Sequence, residues 1–215
     1  MRKQGRPGLA CCLIGLFILI AAPALGRSVT DSAGRTVEIP EKISRVFAAG
    51  PPASTLLYVL APQDMIGWVR APRDAEKPFL AEAVRGLPEL GRLTGRGDTL
   101  NLERLVAAKP DLVIDFGTIN DTYRSLADRI QSQTGIPYLL IDGRFENTPA
   151  ALRLVADVLG VKDRGETLAR AAEETFAQVD RVLANRAGPG RLNRVSASIS
   201  GASAGVRLPC GLAAG

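Results

Sequence analysis

The sequence predicts an α/β fold: an open, mostly parallel sheet flanked by helices, followed by one long connecting helix. Three observations carry this. Short apolar runs of β-type residues alternate with helical stretches, joined by corners of a few residues. The run Leu112-Val-Ile-Asp-Phe116 is apolar on both faces, as a central parallel strand requires. From Asp163 to Arg186, Leu168, Ala171, Ala172, Phe176, Val179 and Leu183 recur at three- and four-residue steps.

Taken in order, Val29 to Ile39 alternates around Ser32-Ala33-Gly34-Arg35 and reads as a hairpin with Ala-Gly at its turn. Ile43 to Gly50 is a strand that ends in glycine. Pro51-Pro52-Ala53-Ser54 breaks the chain, and a helix follows over Thr55–Leu60 through an N1-type proline. Met65 to Val69 reads as a second short strand and Ala75 to Val84 as a helix. A glycine-rich loop, Gly91 to Asp98, leads to a helix over Leu102–Ala108. Lys109-Pro110-Asp111 then turns the chain, because proline disfavours helical geometry in the residue before it. After the central strand come a helix from Asn120 to Gln131, a strand from Pro137 to Ile141 and a helix from Thr148 to Leu159. Strand and helix thus alternate at least four times, the pattern of a sheet with right-handed crossovers. The final helix, about 24 residues and so about 36 Å long, suits either a cover or a strut between two lobes.

Composition narrows function. The chain has 215 residues and a formal net charge of +5. Residues 1–26 hold three bases and no acids, and residues 186–215 hold four bases and no acids, which leaves 20 bases against 22 acids between them. A mildly acidic body with no basic stripe does not fit nucleic acid. Histidine is absent, and the three cysteines, Cys11, Cys12 and Cys210, all lie outside the body. That excludes histidine-based catalysis, disulfides and thiolate or imidazole metal sites in the body. Arg2, Lys3 and Arg6, the apolar run Leu9 to Ala22, and the small residues Ala24 and Gly26 match a signal peptide with the mature chain beginning near Arg27. An uncleaved anchor is the alternative.

In open sheets of this kind ligands collect at the carboxyl ends of the strands. The first strand delivers Gly50, Pro51, Pro52 and Ser54, where a helix N-terminus offers N–H groups to an anion, or where a tight turn simply uses Ser54 as a cap. The second delivers Trp68, the only tryptophan, and Arg70. They either grip a ligand's acidic and apolar parts or serve as core and solvated surface. Gly117, Thr118, Asn120 and Tyr123 follow the central strand, and Gly143 and Arg144 the last. Asp115 and Asp142 sit at strand ends too, where carboxylates commonly cap backbone groups. The Gly91–Asp98 loop has neither the third glycine of a dinucleotide fingerprint nor a Gly-Lys pair, and reads as a structural loop on the rim.

Asp31-x-x-Gly34-Arg35-x-Val37-x-Ile39-Pro40, then Asn101-Leu102-Glu103…Lys109-Pro110-Asp111-Leu112-Val113, then Thr134-Gly-Ile-Pro-Tyr-Leu-Leu-Ile-Asp-Gly143 and a long helix form a recognisable series. Over residues 28–186 the chain resembles the periplasmic substrate-binding proteins of ABC importers for ferric siderophores, haem or cobalamin. The resemblance implies a Rossmann-like N-terminal lobe over residues 27–160, an interlobe helix over 161–186, and a ligand held in a cleft. It implies a monomeric, non-enzymatic receptor without a cofactor, which docks on an ABC permease through acidic residues. Glu82 and Glu89 lie in the corresponding region. The absent histidine separates the chain from the sister group that binds bare zinc or manganese. The family pattern calls for a second lobe after the helix. Residues 187–215, with no acids and no aromatics, do not read as one. They read as a disordered tail or an out-of-frame translation, since codons for Ser196 to Ala202 read in another frame can encode Arg-Val-Tyr-Phe-Gly-Arg. A truncated receptor fragment and a small exported α/β enzyme are the competing readings.

Overall fold

A computed structural model describes residues 26–93 and 102–186. The expected leader, the 187–215 tail and most of the Gly91–Asp98 loop lie outside these residues.

The chain opens with an antiparallel hairpin of β1 (Gly26–Thr30) and β2 (Thr36–Pro40), with Val29 facing Val37. A parallel sheet follows, built from β3 (Val46–Ala48), β4 (Leu112–Gly117) and β5 (Tyr138–Asp142) in the order β3-β4-β5. Its helices are α1 (Pro51–Leu60), the single turn α2 (Glu82–Arg85), α3 (Leu102–Ala108), α4 (Asp121–Thr134), α5 (Thr148–Val158) and α6 (Lys162–Arg186). The predicted α/β architecture with a long last helix is what the chain adopts.

Strand periodicity sets the layers. Leu112, Ile114, Leu139 and Ile141 pack with Leu57, Leu60, Val155 and Ala156 of α1 and α5. Val113, Tyr138 and Leu140 point the other way, onto Leu105, Ala127 and Ile130 of α3 and α4. With helices on both faces, successive strand residues are all buried, which is why Leu112 to Asp115 shows no polar alternation.

Two expected elements differ. Residues 65–69 form isolated bridges, Val46 with Met65 and Trp68 with Glu89, rather than a strand, so among the described residues three parallel strands alternate with helices instead of four. Residues 75–84 split into a 3-10 turn over Lys77–Phe79 and the single turn α2. Pro78 is the reason: it has no N–H for a continuous helical ladder. Helix α1 also begins earlier than expected, at Pro51, and α4 runs on to Thr134.

The two sequence motifs prove to be clamps. The buried Asp31 carboxylate accepts N–H groups from Ala33 and Arg35 at 2.9 Å and from Leu140 at 3.2 Å, and pairs with the Arg35 guanidinium at 3.1 Å. Gly34, with φ at +76°, lets the turn close beneath it. Ser32 N–H donates to Leu140 O, so the hairpin tip lies along the outer edge of β5. Arg35 also reaches Asp128 on α4 at 2.9 Å. At the opposite end of the sheet, Asp111 Oδ2 accepts from the backbone of Ser44 and Arg45, while Arg45 donates to the carbonyls of Lys109 and Ala108. A guanidinium thus satisfies the last carbonyls of α3, where a cation also suits the helix dipole. Lys109 takes the left-handed conformation that this corner requires, with φ at 46°.

Helix α6 is fully buried only along its first turns. Gly165 and Ala169 are buried against α5, and an ideal Cβ on Gly165 would sit 2.1 Å from the Cβ of Ala156. Arg153 ties the pair from outside through Glu166 and Glu173. The Arg153 guanidinium holds the Glu166 carboxyl down at about 2. Being solvated, this network adds little to stability. Further along, Phe176 stacks on Phe145 with ring centroids 4.6 Å apart, and Val179 and Leu183 are exposed.

Candidate ligand-binding site

Three hollows lie side by side where β3, β4 and β5 end. The first, a cavity of about 480 Å³, is lined by Gly117, Thr118, Ile119, Asp142, Gly143 and Arg144, with Ser32 from the hairpin tip. The second, about 560 Å³, is apolar and runs between α1, α5 and α6 past Pro52, Phe116, Phe145 and Leu168. The third, about 260 Å³, is bounded by Pro51, Ser54, Thr55, Trp68, Val69, Arg70 and Arg92. Gly143 borders both the first and second, and Thr55 both the second and third.

The chain crossing at Gly143 shapes the first hollow. Its N–H donates to Gly117 O at 2.8 Å, and a Cβ at Gly143 would stand 2.7 Å from Gly117 Cα. Both contacts are backbone, so no side chain can swing aside. Gly143→Ala is therefore expected to cost about 2 kcal/mol and to push the β4 and β5 ends apart. A melting temperature within one degree of the parent's would count against this.

Arg144 is held in place rather than left free. Its Nε and Nη2 donate to Asp142 Oδ2 at 2.9 and 2.7 Å, its backbone N–H donates to Oδ1, and Asn147 Nδ2 adds a further bond. The guanidinium beside it lowers the Asp142 carboxyl to about 2. This strand-end carboxylate caps backbone and orients an arginine. Arg70 is likewise engaged, with Nη2 at 3.0 Å from both Glu76 oxygens and Nη1 donating to Ala71 O. The Glu76 carboxyl is lowered, first by the Arg73 backbone N–H and then by Arg70. Each end of the surface thus carries an arginine whose charge an acid offsets.

Trp68 is pinned by its indole N–H, which donates to Val84 O at 2.8 Å, and its ring meets Tyr58 at a centroid distance of 5.8 Å. It is half-buried and serves both packing and the wall of the third hollow. Gly50 is the extended N-cap of α1 and lines none of the three hollows. The anion site expected at this helix N-terminus has lost most of its donors. Pro51 and Pro52 occupy the first two helical positions and carry no N–H, which leaves Ala53 alone in that stretch. Ser54 is not a cap; it is 5% exposed and its hydroxyl has no hydrogen-bond partner.

Tyr123 stands apart from the other expected residues. Asn120 caps α4 by accepting the Tyr123 N–H, and the ring packs against the α3–α4 side of the sheet. Asp115 points into the same side, where the Tyr138 hydroxyl donates to it at 3.1 Å. Burial, and next the Asp115 charge, push the Tyr138 hydroxyl well above its ordinary value. Glu82 lies exposed in the first turn of α2, whereas the exposed Glu89 accepts the Ala71 N–H. The sequence reading missed Ser32, Phe116, Phe145 and Leu168 as lining residues. Phe145, two residues after Gly143, carried the one usable signal, a bulky apolar side chain just past a strand end.

No protein-family profile and no curated protein matches the chain. Solved structures do. The ABC transporter solute binding protein from Sulfurospirillum deleyianum aligns at 27% identity and a TM-score of 0.58, over 67% of this chain and 45% of that one. The TroA-like periplasmic binding protein FepB from Veillonella parvula aligns at 25% identity and 0.52, over 66% and 45%. MolA, the molybdate periplasmic binding protein of a Haemophilus influenzae ABC transporter, aligns at 22% identity and 0.57, over 78% and 55%. The described residues therefore have the fold of the solute-binding proteins of ABC transporters. The chain spans about half the length of the proteins it matches.

Proposed function

We propose that the chain is the N-terminal lobe, residues 27–160, and interlobe helix, residues 161–186, of an extracytoplasmic substrate-binding protein. It would deliver an iron chelate such as a ferric siderophore, or a related tetrapyrrole such as haem or cobalamin, to an ABC permease. The observation that carries the reading is the row of three adjoining hollows at the strand ends, on the fold of periplasmic solute-binding proteins. The apolar hollow of about 560 Å³ in the middle of that row favours a bulky, partly apolar ligand over a bare oxyanion. Export through the leader ending at Ala24 to Gly26 and a monomeric, non-enzymatic role complete the reading. For the permease contact, Glu82 is the stronger candidate, since Glu89 already holds the Ala71 backbone. Trp68, at the edge of the row, is the natural reporter. Titration with a ferric hydroxamate siderophore, haemin and cyanocobalamin is expected to quench its fluorescence saturably with at least one of them. No saturable change with any of the three would sink the reading.

A further inference from the structure

We infer that the apolar second hollow is an aryl subsite, in which the Phe145 ring, backed by Phe176 of the long helix, takes the flat face of a conjugated ring on the ligand. The inference rests on the receptor reading above and names the part of the ligand that this hollow selects.

A large apolar ring left in water marks a surface that awaits cover. Phe145 is 74% exposed on the wall of the hollow of about 560 Å³. The turn that carries it is bonded on both sides: the Arg144 N–H donates to Asp142, and the Thr148 hydroxyl donates to Phe145 O at 2.7 Å. Phe176 meets the ring at a centroid distance of 4.6 Å, with the planes inclined at 42°. The ring is therefore presented in a set position. The side chains around it offer a ligand only shape and apolar surface. None that borders the hollow is charged, and its two hydroxyls are already engaged, Thr55 with Pro51 O and Thr148 with Phe145 O. A chelating or acidic group finds no partner here and belongs across Gly143, in the adjoining hollow with Ser32 and Thr118. What enters the apolar hollow is the hydrocarbon part of the ligand. Phe116 and Phe145 both border it, and aromatic faces favour a ring over an aliphatic chain of equal area. Two kinds of chelate carry such a ring: a siderophore with catechol groups and a tetrapyrrole. An aliphatic hydroxamate siderophore carries none.

Haemin, a ferric tris-catecholate siderophore, metal-free protoporphyrin and a ferric hydroxamate siderophore test this in the full chain, with Trp68 fluorescence as the signal. Haemin or the tris-catecholate should bind saturably, and whichever binds identifies the source of the ring. Phe145→Ala should weaken that ligand about tenfold, Phe145→Leu, which is apolar but not flat, about fivefold, and Phe145→Tyr less than about twofold. Because the side chain is exposed, the melting temperature should stay within about 3 °C of the parent's. The contrast of leucine with tyrosine carries the test even where alanine disturbs the fold. Leucine equal to phenylalanine, or an aryl ligand indifferent to Phe145→Ala, overturns the inference. So does a ligand-free dimer that Phe145→Ala makes monomeric, since a second copy would then fill the hollow. Binding of the hydroxamate alone overturns it while the proposed function stands. Phe145-dependent binding of metal-free protoporphyrin with no response to any chelate leaves the subsite standing and removes the proposed function.

Discussion

Replacing Asp31 with alanine is expected to destabilise the fold by about 3–4 kcal/mol, a large part of the 5–15 kcal/mol typical of a domain. The carboxylate is 4% exposed and takes three backbone N–H groups, of Ala33, Arg35 and Leu140, besides the Arg35 guanidinium. Alanine would leave these donors facing a void, and Arg35, only 14% exposed, would keep Asp128 as its one remaining acid. Leaving buried charge and donors unpaired costs more than the original pair gained. Asp31→Asn keeps one acceptor oxygen and should lose about half as much. Urea unfolding followed by circular dichroism measures both. A loss below about 1 kcal/mol for the alanine variant would mean that the hairpin is not held by this residue.

Gly165→Ala sets two effects of opposite sign against each other. Within a helix the exchange normally stabilises by about 1 kcal/mol. Here the new methyl would lie 2.1 Å from the Ala156 Cβ and 3.2 Å from Leu152 O, so α6 must move off α5. Overpacking of this kind costs about 1–3 kcal/mol, and the net expectation is a loss of up to about 2 kcal/mol. Adding Ala156→Gly should recover most of it, since the clash is between those two methyl groups. A stabilised single variant would show that the helices separate without cost.

How far the sequence alone reached depends on the range of each interaction. The central strand was legible because burial on both faces leaves a local mark, Leu112-Val-Ile. The hairpin was legible from alternation around Ala33-Gly34. Asp31 and Arg35 stood out as a motif, yet their tie to Leu140 spans more than a hundred positions and leaves no periodicity to find. Arg45 closing the end of α3 is hidden for the same reason. The 75–84 error was avoidable, because Pro78 stood in the middle of the supposed helix. At α1 the proline pair removes two donors on chemistry alone, which is readable from the sequence. Of the site, strand-end placement was readable for Gly117, Thr118, Gly143 and Arg144. Whether an arginine is free or already paired was not, since Asp142 and Glu76 meet their partners only in the folded geometry. The orphaned state of Ser54 is likewise a property of its surroundings.

The hairpin tip has one more consequence. A three-stranded sheet has two flanks, and a bare flank is a template on which strands of other chains can line up. Here Asp31 and Ser32 occupy the amide and carbonyl of Leu140 on one flank, and Ile66 donates to Val46 O on the other. Recruitment of a foreign strand must therefore begin with the detachment of one of these segments. On the β5 flank, resistance of the folded chain to edge-on aggregation is then tied to the strength of a single buried carboxylate.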